Sequence, residues 1–169
     1  MQLALQQLRN IVGELHPYIL DRLDLPSALQ TIAERQARRG GYEVHVEIDP
    51  KAAGVHDQLI APLTREFLAN AATHADASLV KVRVADYGDT TVLQVVDNGR
   101  GFTSEEQTAA LREGHIGLAA SRERVEACAG TLDVTSGSGG GTHVRCAIPV
   151  GDRSIKVNPE RSTDEPTRP

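Results

Sequence analysis

Short alternating runs that come in pairs limit the fold of this chain more than any other feature. Val80-Lys81-Val82-Arg83-Val84 and Val92 to Val96 are joined through Gly88-Asp89. Period-two patterning sends alternate side chains to opposite faces of a strand, and a short glycine-bearing connection turns two such runs into a hairpin. Thr131 to Thr135 and Thr142 to Ile148 repeat the arrangement around Ser136-Gly137-Ser138-Gly139-Gly140-Gly141. A fifth run, Tyr42-Glu43-Val44-His45-Val46-Glu47-Ile48, stops at Asp49-Pro50.

Helical stripes fill the intervals. Leu5, Leu8, Val12 and Leu15 follow at steps of three and four up to Pro17. A second helix is expected from Asp24-Leu25-Pro26 to Gly40-Gly41, burying Leu29, Ile32 and Ala33. A third runs from roughly Ile60 to His74, with Pro62 placed in its first turn and Leu63, Phe67, Leu68 and Ala71 inward. A short acidic helix begins at Ser104-Glu105-Glu106, and a last one runs from about Leu118 to Ala129 before Gly130. The order α, α, β, α, β, β, α, α, β, β predicts an α+β two-layer sandwich rather than a doubly wound parallel sheet. Residues 1–40 form a helical lead-in, 41–150 the main domain, and 151–169, polar and without periodicity, a disordered tail.

A net charge of −5 over 169 residues provides no basic field for nucleic acid or for an anionic membrane. Cys128 and Cys146 make no C-x-x-C pair, which fits a reducing cytoplasm better than a disulfide scaffold. No apolar run spans a bilayer and no signal peptide is legible, so no membrane contact is expected of this segment.

Chemistry-bearing residues gather at four places. Asp97-Asn98-Gly99-Arg100-Gly101-Phe102 leaves a strand end with a carboxylate able to accept from an exocyclic amine, and with glycines that permit close backbone approach. Glu66 and Asn70, four apart, project from one side of a helix and could share a hard cation, which takes its remaining oxygens from phosphate and water. Gly114-His115-Ile116-Gly117-Leu118 opens a helix whose N–H groups suit an anion, and Gly137 to Gly141 precedes Thr142. Each piece alone also fits an ordinary turn, a solvated helix face or a glycine loop, and His74 fits a helix-end dipole partner.

As an ordered set these residues resemble the ATP-binding domain shared by sensor histidine kinases, gyrase-type topoisomerases, the ninety-kilodalton heat-shock chaperone and mismatch-repair ATPases. The stretch from Arg65 to Ala75 resembles the N box, Asp97 to Gly101 the first glycine box, Gly114 to Leu118 the second and Gly139 to Thr142 the third. Gly117-Leu118-Ala119-Ala120-Ser121-Arg122-Glu123-Arg124-Val125-Glu126 with Gly130-Thr131-Leu132 is similar to the nitrate and membrane-fluidity sensor subfamily. Leu8-Arg9, Leu15-His16-Pro17 and Leu25-Pro26-Ser27-Ala28-Leu29 resemble the segment after its phosphoacceptor helix.

The resemblance implies a Bergerat-type fold, with a mixed, mostly antiparallel sheet covered on one face by helices, and ATP and Mg²⁺ as ligands. Asp97 would bond the adenine amine, Asn70 would coordinate Mg²⁺ and Glu66 would hold a metal-bound water, these two being the catalytic and metal residues. Gly99 and Gly101 would line the base and ribose, Gly117 and Leu118 would open the helix under the phosphates, and Thr142 would back the base. His74, Phe102, His115, Ile116 and Gly141 complete the implied nucleotide set, and a mobile lid is expected between Phe102 and Gly117. Thr73 and His16 stand where the subfamily usually carries basic residues.

His56-Asp57-Gln58 imitates an acceptor signature but lies just before the nucleotide helix, so it is rejected as one. The implied partners are a phosphoacceptor-helix domain, of the same or a partner kinase, and a response regulator. The chain would then be the catalytic piece of a cytoplasmic kinase or of the cytoplasmic part of a membrane-bound sensor, not expected to autophosphorylate alone. Homodimerisation of the full-length protein, with the stripe from Leu5 to Leu15 as a candidate contact, stays open. Two rivals remain: an anti-sigma-factor-type serine protein kinase, and a nucleotide-free interaction module on the same fold.

Overall fold

Asp24 opens the first helix among the described residues of the computed structural model, which are 23–103, 105, 106 and 117–150. The expected helix from Leu5, the tail from 151, the residues Gly114, His115 and Ile116 and most of the expected lid lie outside the described residues. Helix α1 (Leu25–Gly40) starts where the Asp24 carboxylate accepts from Ser27 N at 2.9 Å, with Pro26 in the first turn. Those Ser27 bonds hold the Asp24 carboxyl below its ordinary range. The helix ends at Gly41, whose φ of 72° is left-handed and whose N–H meets Ala37 O at 2.8 Å.

Among the described residues five strands form one sheet: β1 (Glu43–Ile48), β2 (Leu79–Asp86), β3 (Thr90–Asp97), β4 (Thr131–Ser136) and β5 (Thr142–Pro149). Their order is β1-β2-β3-β5-β4. β1 pairs with β2 in parallel and every other pair is antiparallel. The β2–β3 hairpin turns at Gly88, φ 87°, with Tyr87 N on Thr90 O at 2.9 Å. Helices α1, α2 (Asp57–Asn70) and α3 (Gly117–Glu126) contact the sheet, so the α+β two-layer sandwich expected from the sequence is the observed one. Val80, Val82, Val84, Leu93, Val95, Leu132, Val144, Cys146 and Ile148 meet Leu25, Leu29, Ile60, Leu63, Phe67, Leu68 and Val125 in one core. Glu43, His45, Glu47, Lys81 and Arg83 alternate onto the exposed side.

Two helix expectations need correction. α2 begins at Asp57, after His56 with no side-chain cap, so Pro62 stands in its second turn rather than its first. Proline there deprives the Gln58 carbonyl of its helical donor, and exposed Gln58 lets water replace it. The α-helix also stops at Asn70. Ala71–Ala75 continues as a π turn ending at Asp76, whose φ of 50° is left-handed. Groups from outside the helix favour this widening: Tyr42 Oη donates to Leu68 O at 3.1 Å, and Arg100 donates to the carbonyls of His74 and Ala75. π turns inside helices are often found at functional sites.

Candidate nucleotide site

Asp97 is the last residue of β3 and shares the helix-facing side with Leu93 and Val95. Register places Thr142 of β5 beside it and Ser136 of β4 beside Thr142. Three polar side chains thus stand in a row at one end of a sheet face that is otherwise apolar except for Thr91 at the far end of β3. Asp97 is only 9% exposed. Its Oδ1 accepts from Gly99 N at 2.9 Å and from Thr142 N at 3.2 Å. Among the described residues nothing donates to Oδ2, so one oxygen orients the carboxylate and the other keeps its acceptor capacity.

The glycines have a packing reason that spacing alone could not supply. A Cβ on Gly99 would collide with the Ala75 carbonyl, one on Gly101 with the Gly137 carbonyl, and one on Gly141 with the Asp97 carbonyl. Gly101 and Gly141 also have left-handed φ values of 64° and 70°. Removing the side chain lets three distant segments lie backbone on backbone around the carboxylate.

Ser136, which the motif reading left without a role, ties them together. Its Oγ accepts from Phe102 N at 2.8 Å, donates to Gly141 O at 2.9 Å and lies 3.3 Å from Thr142 Oγ1. A strand-end serine before a glycine tract is the only sequence signal, and it is equally at home in any turn.

Glu66 and Asn70 stand one turn apart on α2, both half-buried. Glu66 Oε1 lies against Gly117, where a Cβ would overlap it, so the start of α3 abuts the acidic side of α2. Neither Glu66 nor Asn70 has a side-chain hydrogen bond or ion pair to another described residue, as two oxygen donors kept for a ligand require. Among the described residues no three His, Cys, Asp or Glu side chains could hold a metal ion by themselves. A hard cation here would therefore draw on phosphate and water, which fits Mg²⁺ beside a triphosphate.

The structure thus joins Asp97, Gly99, Gly101, Phe102, Gly141 and Thr142 in one network and sets Glu66 against Gly117. Leu118 packs on the core. His74 is exposed in the π turn and enters through its carbonyl. His56 is the residue before α2, and its Nε2 lies 3.0 Å from Pro149 O, an anchoring role.

The family described as histidine kinase-, DNA gyrase B-, and HSP90-like ATPase matches residues 55–152, and the chain belongs to it. Within it the chain matches the ATP-binding catalytic domain of sensor histidine kinases. It is 36% identical over 151 residues to the sensor histidine kinase NarS of Mycobacterium tuberculosis, covering 89% of this chain and 35% of that protein. It is 32% identical over 146 residues to the nitrate/nitrite sensor protein NarQ of Escherichia coli, covering 83% and 25%. The chain thus spans about a third or less of these relatives. The histidine kinase domain of the blue-light activated kinase EL346 of Erythrobacter litoralis superposes with a TM-score of 0.61 at 30% identity, over 76% of this chain and 62% of that one. Among the described residues no helix is long and apolar enough to cross a membrane.

Proposed function

We propose that this chain binds Mg·ATP and presents its γ-phosphate to a histidine on a dimerisation helix outside the chain, in a kinase that then supplies a response regulator. Phosphoryl transfer leaves a protein little covalent work, so positioning is the task. The observation that carries the reading is the divided Asp97 carboxylate: Oδ1 is held by two backbone N–H groups, and Oδ2 remains to accept from the adenine amine. Asn70 would hold Mg²⁺ and Glu66 a water on it. Magnesium, when bound, offsets charge on the phosphate oxygens. Residues 1–40 would lead in from the dimerisation helix on the cytoplasmic side. Alone, the chain binds nucleotide without phosphorylating itself.

Calorimetry with Mg·ATP tests this, with Asp97→Asn as control. Asparagine preserves the shape but can turn an N–H₂ donor toward the adenine donor. Affinity should then fall by more than about tenfold, the scale of one hydrogen bond to a charged acceptor. Adding a histidine-bearing dimerisation helix and labelled ATP should yield acid-labile phosphohistidine. Acid-stable phosphoserine on a partner would instead identify the anti-sigma type of kinase, and no heat from the parent chain would leave only a nucleotide-free module.

A further inference from the structure

Arg100 stands inside the first glycine box, and none of the nucleotide-binding roles above uses its side chain, which reaches the π turn. Its backbone N–H donates to Ala75 O at 2.7 Å, and its Nε donates to His74 O at 2.9 Å. Both bonds end on the π turn that continues the helix of Asn70. Nη1 lies 3.2 Å from Glu106 Oε1. Glu106 is itself fixed, since its Oε2 accepts from Thr103 N at 2.8 Å while Glu106 N donates to Thr103 Oγ1 at 3.2 Å, a reciprocal cap. The Arg100 carbonyl accepts from Gly139 N at 2.7 Å. One residue therefore connects the Asn70 side of the site, the Asp97 loop, the glycine tract before Thr142 and the turn at Thr103.

We propose that Arg100 is a positioning residue for the nucleotide: its guanidinium pins the loop after Asp97 to the π turn after Asn70. The assignment rests on the reading that a nucleotide binds at Asp97. A loop held in its binding geometry loses less conformational freedom when a ligand arrives, and that difference is read as affinity. The Glu106 contact is half exposed and contributes little by itself, as surface ion pairs do. The bond from Nε to the His74 carbonyl is the one that matters.

Arg100→Met keeps much of the side-chain length and removes every side-chain donor, while the backbone bond to Ala75 O remains. The full chain and this variant are titrated with adenosine by two-dimensional NMR and with Mg·ATP by calorimetry. Both ligands should weaken by the same factor, about three- to tenfold, the scale of one charge-assisted hydrogen bond partly screened by water. Arg100→Lys, with one donor able to reach the His74 carbonyl, should recover part of the loss for both. A loss confined to Mg·ATP would overturn the proposal in favour of direct phosphate contact. Unchanged affinities with a lowered urea midpoint would reduce Arg100 to a stabilising contact. If the parent binds neither ligand, the nucleotide reading itself falls and this assignment with it, an outcome distinct from a parent that binds and variants that bind equally well.

Discussion

Alanine substituted along the glycine tract before Thr142 should produce a graded series, because three neighbouring glycines differ in what they are there for. At Gly137 φ is not left-handed and a Cβ would meet nothing within 4 Å, so Gly137→Ala should be neutral or stabilise by about 0.5 kcal/mol through the unfolded chain. Gly139 has φ 72° with open space around it, so Gly139→Ala should cost about 1–2 kcal/mol from the left-handed conformation alone. Gly141 combines φ 70° with a Cβ position on top of the Asp97 carbonyl, which is backbone in a paired strand and cannot rotate away. Gly141→Ala should therefore cost about 3 kcal/mol or more, the strain plus that of an overpacked contact. It should also move Thr142 N off Asp97 Oδ1 and weaken Mg·ATP binding, which Gly139→Ala should leave within about twofold. The chain has no tryptophan, so urea unfolding followed by circular dichroism is the suitable assay, with calorimetry for the nucleotide. Equal destabilisation by Gly139→Ala and Gly141→Ala would refute the collision argument. A large cost at Gly137 would refute the whole series.

Tyr42→Phe deletes the donor to the Leu68 carbonyl in a buried setting that pushes the phenol up to about 12, and should lower stability by about 1 kcal/mol in urea unfolding. Amide exchange should rise across Ala71–Ala75 in the same variant, because that carbonyl is one of the groups favouring the π turn. Asp24→Ala should destabilise at neutral pH by removing the cap of α1. The folded carboxyl lies below its ordinary value, so its contribution is present above the unfolded pKa of about 3.9 and is lost as pH falls through the lowered folded value. Urea midpoints of parent and variant should accordingly converge in acid, and a gap independent of pH would contradict the assignment to the carboxylate.

The alternation at Val80 to Val84 and Val92 to Val96 made the central hairpin legible, and Asp24 and Gly41 marked both ends of α1 because caps act within one turn. The parallel pairing of β1 with β2 was not legible. Glu43–Ile48 alternates as an antiparallel strand with one wet face would, and only the crossover through α2 sets its direction. The π turn was invisible for a related reason. Ala71-Ala72-Thr73-His74-Ala75 carries no local signal, and the donors that favour it come from Tyr42 and Arg100, which are distant along the chain on either side. In the candidate site, resemblance to the family's boxes pointed to Asp97, Thr142 and the glycines, since each box is local, and the structure brings them together. Ser136 escaped because a hydroxyl that joins three segments looks like any strand-end serine until those segments meet.

Asp97 and Thr142 touch across neighbouring strands although 45 residues of chain separate them. The carboxylate thus takes its address from the sheet and not from the path between. As long as β3 and β5 keep their register, the carboxylate and the Thr142 N–H meet, because neighbouring strands and not consecutive residues hold them side by side.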